Sequence, residues 1–244
     1  MNHALSASLC AVALLCGGST QAQEIAAPVV QATGPARVTV SPLRLEMDGP
    51  QRTETVRVIN PSPRPIGVQV RIFNWDQENG EDVYSPSTEL QVSPSIITIQ
   101  PGDTQVFRLM RRELPPQGER RYRLAVDQLP DPALQRPGQA TTRVRFTIPV
   151  FLDRASAAPA ALAWSIEGNS LRLANTGQQT ARMVNLALTG TAGDVPVEGF
   201  GLHYIMGGKQ LSWDLPNGCP VGPIRMNVLV DGETVDAPVP VSCP

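Results

Sequence analysis

Few side chains in this 244-residue chain could carry out catalysis. His203 is the only histidine outside the first few residues, and a hydrolase would have to use it as its general base. The surrounding HYIMGGKQ contains neither a nucleophile elbow nor a suitably spaced acid. The sequence also lacks HExxH and CxxC metal motifs and the GxxxxGK(S/T) and GxGxxG nucleotide motifs. We therefore expect no enzymatic activity, no bound metal and no cofactor.

The first 22 residues have the features of a secretory signal peptide. An apolar run from Ala4 to Cys16 is followed by small residues up to Ala22. That run is too short to span a bilayer, and no other stretch is long and apolar enough to do so. We expect residues 1–22 to be removed on export and residues 23–36 to form a flexible tail. The mature protein is not expected to be embedded in a membrane.

The cysteines favour a disulfide over a metal site. Removal of the signal peptide takes away Cys10 and Cys16 and leaves Cys219 and Cys243 near the end of the chain. An even pair in an exported protein predicts one disulfide, and closing a loop of this length stabilises a fold by about 3 to 4 kcal/mol. Metal ligation is the alternative, but the sequence offers no supporting ligands beyond His203.

The basic residues are almost all arginine, since only Lys209 of the 20 is a lysine. Genome base composition is one explanation, and the bidentate pairing of arginine with carboxylates is another. A formal net charge of -2 leaves no excess of cations for a phosphate backbone. Nucleic acid is therefore a poor candidate partner on electrostatic grounds.

One segment, ATTRVRFTIPVFLDR at residues 140–154, combines arginines with an apolar row. Val144, Phe146, Ile148 and Val150 alternate with arginine, threonine and proline, as expected for a strand with one apolar face. The pattern leaves two interpretations open. Either the apolar row packs in the protein's own core, or it is presented to a partner.

The elements that must position these residues are strands. Alternating or continuous apolar runs cover residues 37–47, 53–60, 66–75, 105–111, 122–128 and 142–152. Turn segments such as NPSPRP, QENGED and QPGD separate them. About seven short strands with proline and glycine at the corners are typical of a β-sandwich, and proline suits its turns and edges. Helical bundles and Rossmann folds are excluded.

The composition changes at residues 153–161, where small residues and a proline predict a linker. Residues 162–244 again contain apolar runs separated by NG, TG, GG and DG turns. We therefore expect a first domain at 37–152 and a smaller all-β domain at 162–244, which carries the disulfide.

The order and spacing of several motifs resemble the periplasmic chaperones of the chaperone/usher pilus pathway, the PapD-like superfamily. In the first domain the motifs are VQVRIFNWDQENGEDVY, SPSIITIQPGDTQVFRLMRR and ERRYRLAVDQLPDP, and in the second they are LRLANTGQQTAR and SWDLP. FNWDQENGEDVY and YRLAVDQLP are most similar to the archaic branch, which is Csu-like or spore-coat-protein-U-like. The resemblance covers residues 37–244 and implies two immunoglobulin-like β-sandwich domains in an L-shaped arrangement, located in the periplasm.

The resemblance also implies a function for the apolar row. Chaperones of this family complement a pilus subunit that lacks a strand, by inserting alternate side chains of their seventh strand, and deliver it to an outer-membrane usher. The residues that match this donor strand are Ala140, Thr142, Val144, Phe146 and Ile148. Of these, Ile148 is expected, with Val150, to root the strand in the chaperone itself.

The family further has a basic anchor for the C-terminal carboxylate of the subunit, formed by an arginine on the first strand and a lysine on the seventh. Arg44 in SPLRLEMDG matches the arginine, whereas Pro149 stands in place of the lysine. If YRLAVDQL and TTRVRFTIP pair as antiparallel neighbours, Arg123 comes opposite Pro149 and can replace the lysine. We therefore predict that Arg44 and Arg123 bind the carboxylate, while Arg143 and Arg145 are edge charges that discourage self-pairing.

The expected partners are pilus subunits and an outer-membrane usher. An immunoglobulin-like surface adhesin or a structural pilus component is the alternative, because it shares the fold and the disulfide. A pilus subunit would differ in lacking its own final strand.

Overall fold

The computed structural model of the protein describes residues 38–112, 118–131 and 143–243. The predicted signal peptide at 1–22, the predicted tail at 23–36, and Ala140 and Thr142 of the predicted donor strand lie outside these residues. In the described ranges no helix is long and apolar enough to cross a membrane.

The first domain is a β-sandwich. Its strands are β1 Thr39–Ser41, β2 Leu45–Met47, β3 Thr53–Ile59, β4 Ile66–Glu78, β5 Glu81–Pro86, β6 Leu90–Ser93, β7 Ile96–Ile99, β8 Thr104–Arg111, β9 Arg120–Gln128 and β10 Arg145–Leu152. One sheet has the order β1-β3-β8-β6, and the other has the order β2-β10-β9-β4-β5 with β7 also paired to β4. Alternate side chains of both sheets meet in one core, which includes Val56, Phe107, Leu124 and Val150.

The first predicted strand, 37–47, is divided between the two sheets. β1 pairs antiparallel with β3, and β2 pairs parallel with β10. Pro42 lies between them and cannot donate a main-chain hydrogen bond to a ladder, so the chain leaves one sheet there and joins the other. As a result β2 is short and covers only the end of β10.

The hairpin at QENGED is longer than its sequence predicts. β4 runs on from the predicted end at Trp75 to Glu78, and β5 begins at Glu81. Asn79 and Gly80 connect them with φ angles of 52° and 84°, as in a two-residue hairpin turn. Because β5 is exposed along its whole length, it has no apolar alternation by which to predict it.

The second domain is also a β-sandwich. Its strands are β11 Leu162–Glu167, β12 Ser170–Asn175, β13 Ala181–Gly190, β14 Gly193–Val195, β15 His203–Ile205, β16 Gln210–Asp214, β17 Ile224–Val230, β18 Glu233–Val239 and β19 Val241–Ser242. One sheet has the order β16-β12-β11-β19 and the other β14-β13-β17-β18, with β15 paired to β13. A 3-10 helix at Arg154–Ser156 lies in the connection from the first domain. The predicted all-β fold of two β-sandwich domains is confirmed.

The structure joins Cys219 and Cys243 in the predicted disulfide, with a Cα–Cα distance of 5.9 Å. Cys243 follows β19, which pairs with β11, and Cys219 lies in the connection between β16 and β17. The bond therefore ties the last strand of the second sandwich to that connection.

Candidate functional site

One edge of β10 is open over more than half of its length. β9 pairs with β10 along Arg145–Leu152, whereas β2 covers the opposite edge only at Val150–Leu152. The stretch from Arg145 to Pro149 has no strand on that side within the described chain. We call this side of residues 145–149 the open edge.

The main chain presents unpaired groups along the open edge. The Gln128 amide donates to the Val144 carbonyl at 3.0 Å, so the main-chain groups of the even-numbered residues of β10 face β9. The N–H and C=O groups of Arg145 and Thr147 consequently face the open edge. Pro149 also faces it but has no N–H, so the row of available donors ends there.

The apolar row changes from buried to half-buried along the strand. Ile148 and Val150 are 1% and 0% exposed and lie in the core of the first sandwich. Phe146 and Val144 are half-buried, and Phe146 packs against that core from its edge. The half-buried residues are those toward the open end of β10, and the buried pair fixes the strand in its own sandwich.

The predicted pairing of β9 with β10 is confirmed. Pro149 lies opposite Arg123, and Arg145 lies opposite Asp127. Arg123 therefore projects from β9, on the paired side of β10, at the level of Pro149, where the open edge ends.

Arg44 lies at the same level, because it directly precedes β2. Its Nε donates to Glu46 at 2.6 Å, and its Nη1 lies 3.3 Å from Asp231. Burial acts to lower the pKa of the Arg44 guanidinium, but the hydrogen bonds and charges of Glu46 and Asp231 outweigh it and raise the pKa. Arg44 is thus a fixed cation that already has two acidic partners.

Arg123 is more deeply placed and less well paired. It is 8% exposed, and its Cζ lies 3.6 Å from the ring centre of Trp75 and 4.7 Å from that of Tyr204. Asp82 lies 3.7 Å away, which is an ion-pair distance but too long for a hydrogen bond. In the part of the chain that the structure describes, the buried Nε of Arg123 has no hydrogen-bond partner.

The two predicted arginines contact one aromatic pair. The ring centres of Trp75 and Phe151 are 6.2 Å apart, with Arg123 over Trp75 and Arg44 over Phe151 at 4.8 Å. Trp75 and Phe151 are buried together with Met206 of the second domain. The fold therefore brings both arginines to the end of the open edge, although their acidic partners differ.

A cavity of about 270 Å³ opens beside Arg123 on the outer face of the β10-containing sheet. We call it the arginine cavity, and its lining residues are Arg71, Phe73, Tyr84, Arg123, Ala125, Arg145 and Thr147. The sequence patterns do not indicate a role for Arg71, Phe73 or Tyr84. Their position beside Arg123 follows from the register of β4 on β9, in which Phe73 pairs with Arg123, and the sequence does not determine that register.

Asp127 balances two of the three arginines of the cavity. It accepts hydrogen bonds from Arg71 at 2.8 Å and from Arg145. Burial acts to raise the pKa of the Asp127 carboxyl, but the hydrogen bonds and charges of these two arginines outweigh that effect, so the pKa lies below its usual range. Asp127 is accordingly ionised near neutral pH.

Asp82 is held beside Arg123 by two other donors. The Tyr84 hydroxyl donates to it at 2.9 Å, and the Gln77 side-chain amide donates at 3.1 Å. Burial and the bond to Asp82 raise the pKa of Tyr84, so its hydroxyl stays protonated and remains a donor. Asp82 therefore offsets the charge of Arg123 without forming a hydrogen bond to it.

The second domain places Tyr204 over Arg123 through the Gln77 side chain. Gln77 donates to the Tyr204 carbonyl at 2.7 Å and accepts from the Met206 amide at 3.0 Å. Lys209 adds a bond to the Gln77 carbonyl at 2.5 Å. The surroundings of Arg123 are thus assembled from both sandwiches.

No catalytic arrangement surrounds His203 in the described residues. Its Nε2 lies 3.3 Å from the Gly199 carbonyl, and its ring packs against Phe200 and Trp213. The described chain also contains no group of three or more His, Cys, Asp or Glu side chains that could hold a metal ion.

The chain matches a known protein family by sequence and known structures by fold. The family model described as "Pili and flagellar-assembly chaperone, PapD N-terminal domain" matches residues 37–156. No curated protein matches the chain significantly.

Three solved structures illustrate the likeness in fold. The first is a CsuC-CsuE chaperone-tip adhesion subunit pre-assembly complex from the archaic chaperone-usher Csu pili of Acinetobacter baumannii. It matches with a TM-score of 0.67 and 22% identity, over 85% of this chain and 100% of that chain. The E. coli chaperone DraB matches with a TM-score of 0.59 and 21% identity, over 86% of this chain and 98% of that chain. A complex of the Salmonella enterica SafA pilin with the SafB chaperone matches with a TM-score of 0.59 and 18% identity, over 85% and 97% of the two chains.

The family model covers the sandwich that carries the open edge of β10, and the solved structures extend the likeness in fold across both domains. The first sandwich, residues 37–156, therefore belongs to the family of PapD N-terminal domains of pili and flagellar-assembly chaperones.

Proposed function

We propose that the protein captures pilus subunits in the periplasm by supplying β10 as their missing strand and then delivers them to an outer-membrane usher. The observation that carries this proposal is the open edge of β10 beside the half-buried Val144 and Phe146. Export by the predicted signal peptide, and membership of the archaic, Csu-like branch, are parts of the same proposal.

The energy available from such strand addition is sufficient for a durable complex. Burying two large apolar side chains contributes about 1.5 to 3 kcal/mol each, and each main-chain hydrogen bond contributes about 1 kcal/mol net. Arg145 and Thr147 together offer two donors and two acceptors on the open edge. Nucleotide hydrolysis is therefore not required to form the complex.

The position of the arginines favours one orientation of the added strand. A strand that runs parallel to β10 arrives at Pro149 with its carboxyl end, where Arg44 and Arg123 flank Trp75 and Phe151. An antiparallel strand would bring its amino end to these cations, which is unfavourable. The arrangement supports the proposed role of both arginines in binding the C-terminal carboxylate of the subunit.

The first sandwich also differs from that of a pilus subunit. β10 fills its own sheet beside β9, and Ile148, Val150 and Leu152 complete the core. A structural component that lacks its final strand would leave these positions empty. The chaperone function is therefore favoured over that alternative.

Co-expression with the neighbouring pilin genes, followed by affinity purification from periplasm, tests the proposal. We expect a one-to-one complex with at least one subunit that is degraded when it is expressed alone. Failure to recover a complex with any neighbouring subunit would contradict the proposed function.

A further inference from the structure

We propose that Gln77 is a positioning residue for subunit capture, because its side-chain amide holds Tyr204 of the second domain and Asp82 of the first domain around Arg123. This inference rests on the proposed function, in which Arg123 contacts the subunit, and it assigns a role to a residue that does not contact the subunit itself. It makes the second domain a part of the capture site, which strand addition to β10 alone does not require.

The side-chain amide of Gln77 is buried and has a partner for each of its hydrogens. Gln77 is 4% exposed. Its Nε2 donates to the Tyr204 carbonyl at 2.7 Å and to Asp82 at 3.1 Å, and its Oε1 accepts from the Met206 amide at 3.0 Å. Both donors of the amide are thus engaged. A buried polar group with its partners in place rigidifies the groups that it binds.

Two of the residues that Gln77 binds are neighbours of Arg123. The Tyr204 ring lies with its centre 4.7 Å from the Cζ of Arg123, and it meets the Trp75 ring edge-on at 5.2 Å. Asp82 is the acidic neighbour of Arg123, at 3.7 Å. Without the Gln77 amide, the Tyr204 main chain and the Asp82 carboxylate each lose a hydrogen bond that keeps them at these distances.

Gln77 also keeps Asp82 from competing for the Arg123 guanidinium. One oxygen of Asp82 accepts from Gln77 and the other accepts from Tyr84, while Asp82 stays beyond hydrogen-bond distance of Arg123. An Asp82 side chain released by Gln77 can rotate toward Arg123 and form a charge-assisted hydrogen bond, which is about twice as strong as a neutral one. That bond would occupy donors that capture uses. Gln77 therefore leaves Arg123 available to the subunit.

Lys209 offers a matched control, because it joins the same two domains through different atoms. Its Nζ donates to the main-chain carbonyl of Gln77 at 2.5 Å and lies 3.1 Å from Asp76. Lys209→Met removes these contacts between the domains and leaves the Gln77 amide with its partners. Gln77→Met keeps a side chain of similar length and removes the hydrogen bonds of the amide. Thermal melts establish that both variants are folded.

The NMR signal of the Arg123 side-chain N–H groups tests the positioning in the free protein. The rings of Trp75 and Tyr204 shift this signal, because their centres lie 3.6 and 4.7 Å from Cζ. In Gln77→Met we expect a downfield change, since the Tyr204 ring moves away and a carboxylate approaches the guanidinium. Lys209→Met is expected to keep the wild-type signal. An unchanged signal in Gln77→Met, or the same change in both variants, would overturn the inference.

Subunit affinity, measured by calorimetry, tests whether Gln77 acts through Arg123. Gln77→Met is expected to weaken capture about tenfold, and Lys209→Met less than about twofold. In an Arg123→Ala protein, Gln77→Met should cause no further loss, because the residue that it positions is absent. Additive losses would contradict the inference, because a tie between domains acts whether or not Arg123 is present.

These measurements separate this inference from the proposed function. If the wild type captures a subunit and Gln77→Met captures it equally well, the positioning role fails and the proposed function stands. If the wild type captures no subunit, the proposed function fails, whereas the NMR signal still decides whether Gln77 holds the surroundings of Arg123.

Discussion

The Arg111→Met variant is expected to lose much of the stability of the first sandwich. The Arg111 side chain is fully buried, and its Nη2 lies 2.5 Å from Asp153, which directly follows β10. Its Nη1 donates to the carbonyls of Gly49 and Gln51 at 3.1 and 3.3 Å. The guanidinium therefore connects the end of β8 in one sheet to the end of the proposed donor strand in the other.

The size of the effect follows from the charge that the substitution leaves behind. The Asp153 side chain is only 11% exposed, and without Arg111 it becomes a buried and unpaired carboxylate. Breaking a buried ion pair from one side costs about 3 to 5 kcal/mol. Domains of this kind have a free energy of unfolding of about 5 to 15 kcal/mol, so about a fifth or more of the stability is lost.

Urea denaturation followed by circular dichroism measures this loss, and hydrogen exchange of the β8 and β10 amides localises it to the first sandwich. The double variant Arg111→Met/Asp153→Asn supplies the control. Asn tolerates the left-handed backbone of Asp153, whose φ is 53°, and the second substitution removes the stranded charge. We expect the double variant to recover about 1 kcal/mol or more relative to Arg111→Met. A loss below about 1 kcal/mol in Arg111→Met, or strict additivity of the two substitutions, would refute the reasoning.

Three further predictions concern the anchor, acid stability and the disulfide. Arg123→Ala should fold normally and weaken subunit binding by about 2 to 5 kcal/mol in calorimetry. Arg44 is more exposed, so Arg44→Ala should weaken binding by about 1 kcal/mol or less. Unchanged binding by both variants would contradict the proposed carboxylate anchor. The pKa of Asp127 is lower in the folded protein than in the unfolded chain. Its ionised carboxylate therefore stabilises the fold at a pH above its unfolded-state pKa, which is near 4, and this stabilisation is lost as the pH falls through its folded-state pKa. The stability difference between the wild type and Asp127→Asn should therefore shrink below about pH 4 in acid denaturation, and a constant difference would contradict this. Reduction of Cys219–Cys243 should lower the melting temperature of the second domain while subunit capture persists, and equal loss of both would show that the domains are energetically coupled.

Much of the fold follows from local patterns in the sequence. The alternation of apolar residues predicts β3, β4, β8, β9 and β10 to within a few residues. The pairing of Arg123 with Pro149 could also be predicted, because two adjacent antiparallel strands with one apolar face each have few acceptable registers. Strands without alternation could not be predicted in this way, as the fully exposed β5 shows.

The surroundings of Arg123 could not be predicted from the sequence. Tyr204 reaches it from the second domain, through bonds to Gln77 that depend on how the two sandwiches pack. Asp82 and Tyr84 reach it from a hairpin that the sequence indicates only as a turn. The sequence identified the cation, whereas the rings and the acid that determine its environment are tertiary features.

The apolar row of β10 either packs in the protein's own core or is presented to a partner, and these two interpretations predict opposite effects of a charge at Phe146. Phe146→Asp places a carboxylate at a half-buried position on the open part of β10, whereas Ile148→Asp places one in the core, where an unpaired charge costs several kcal/mol. Circular dichroism, thermal melting and subunit purification should be measured on both variants. We predict that Phe146→Asp stays folded and captures no subunit, while Ile148→Asp unfolds the first sandwich. A Phe146→Asp protein that unfolds as Ile148→Asp does, or that is folded and still captures the subunit, would contradict donation of β10.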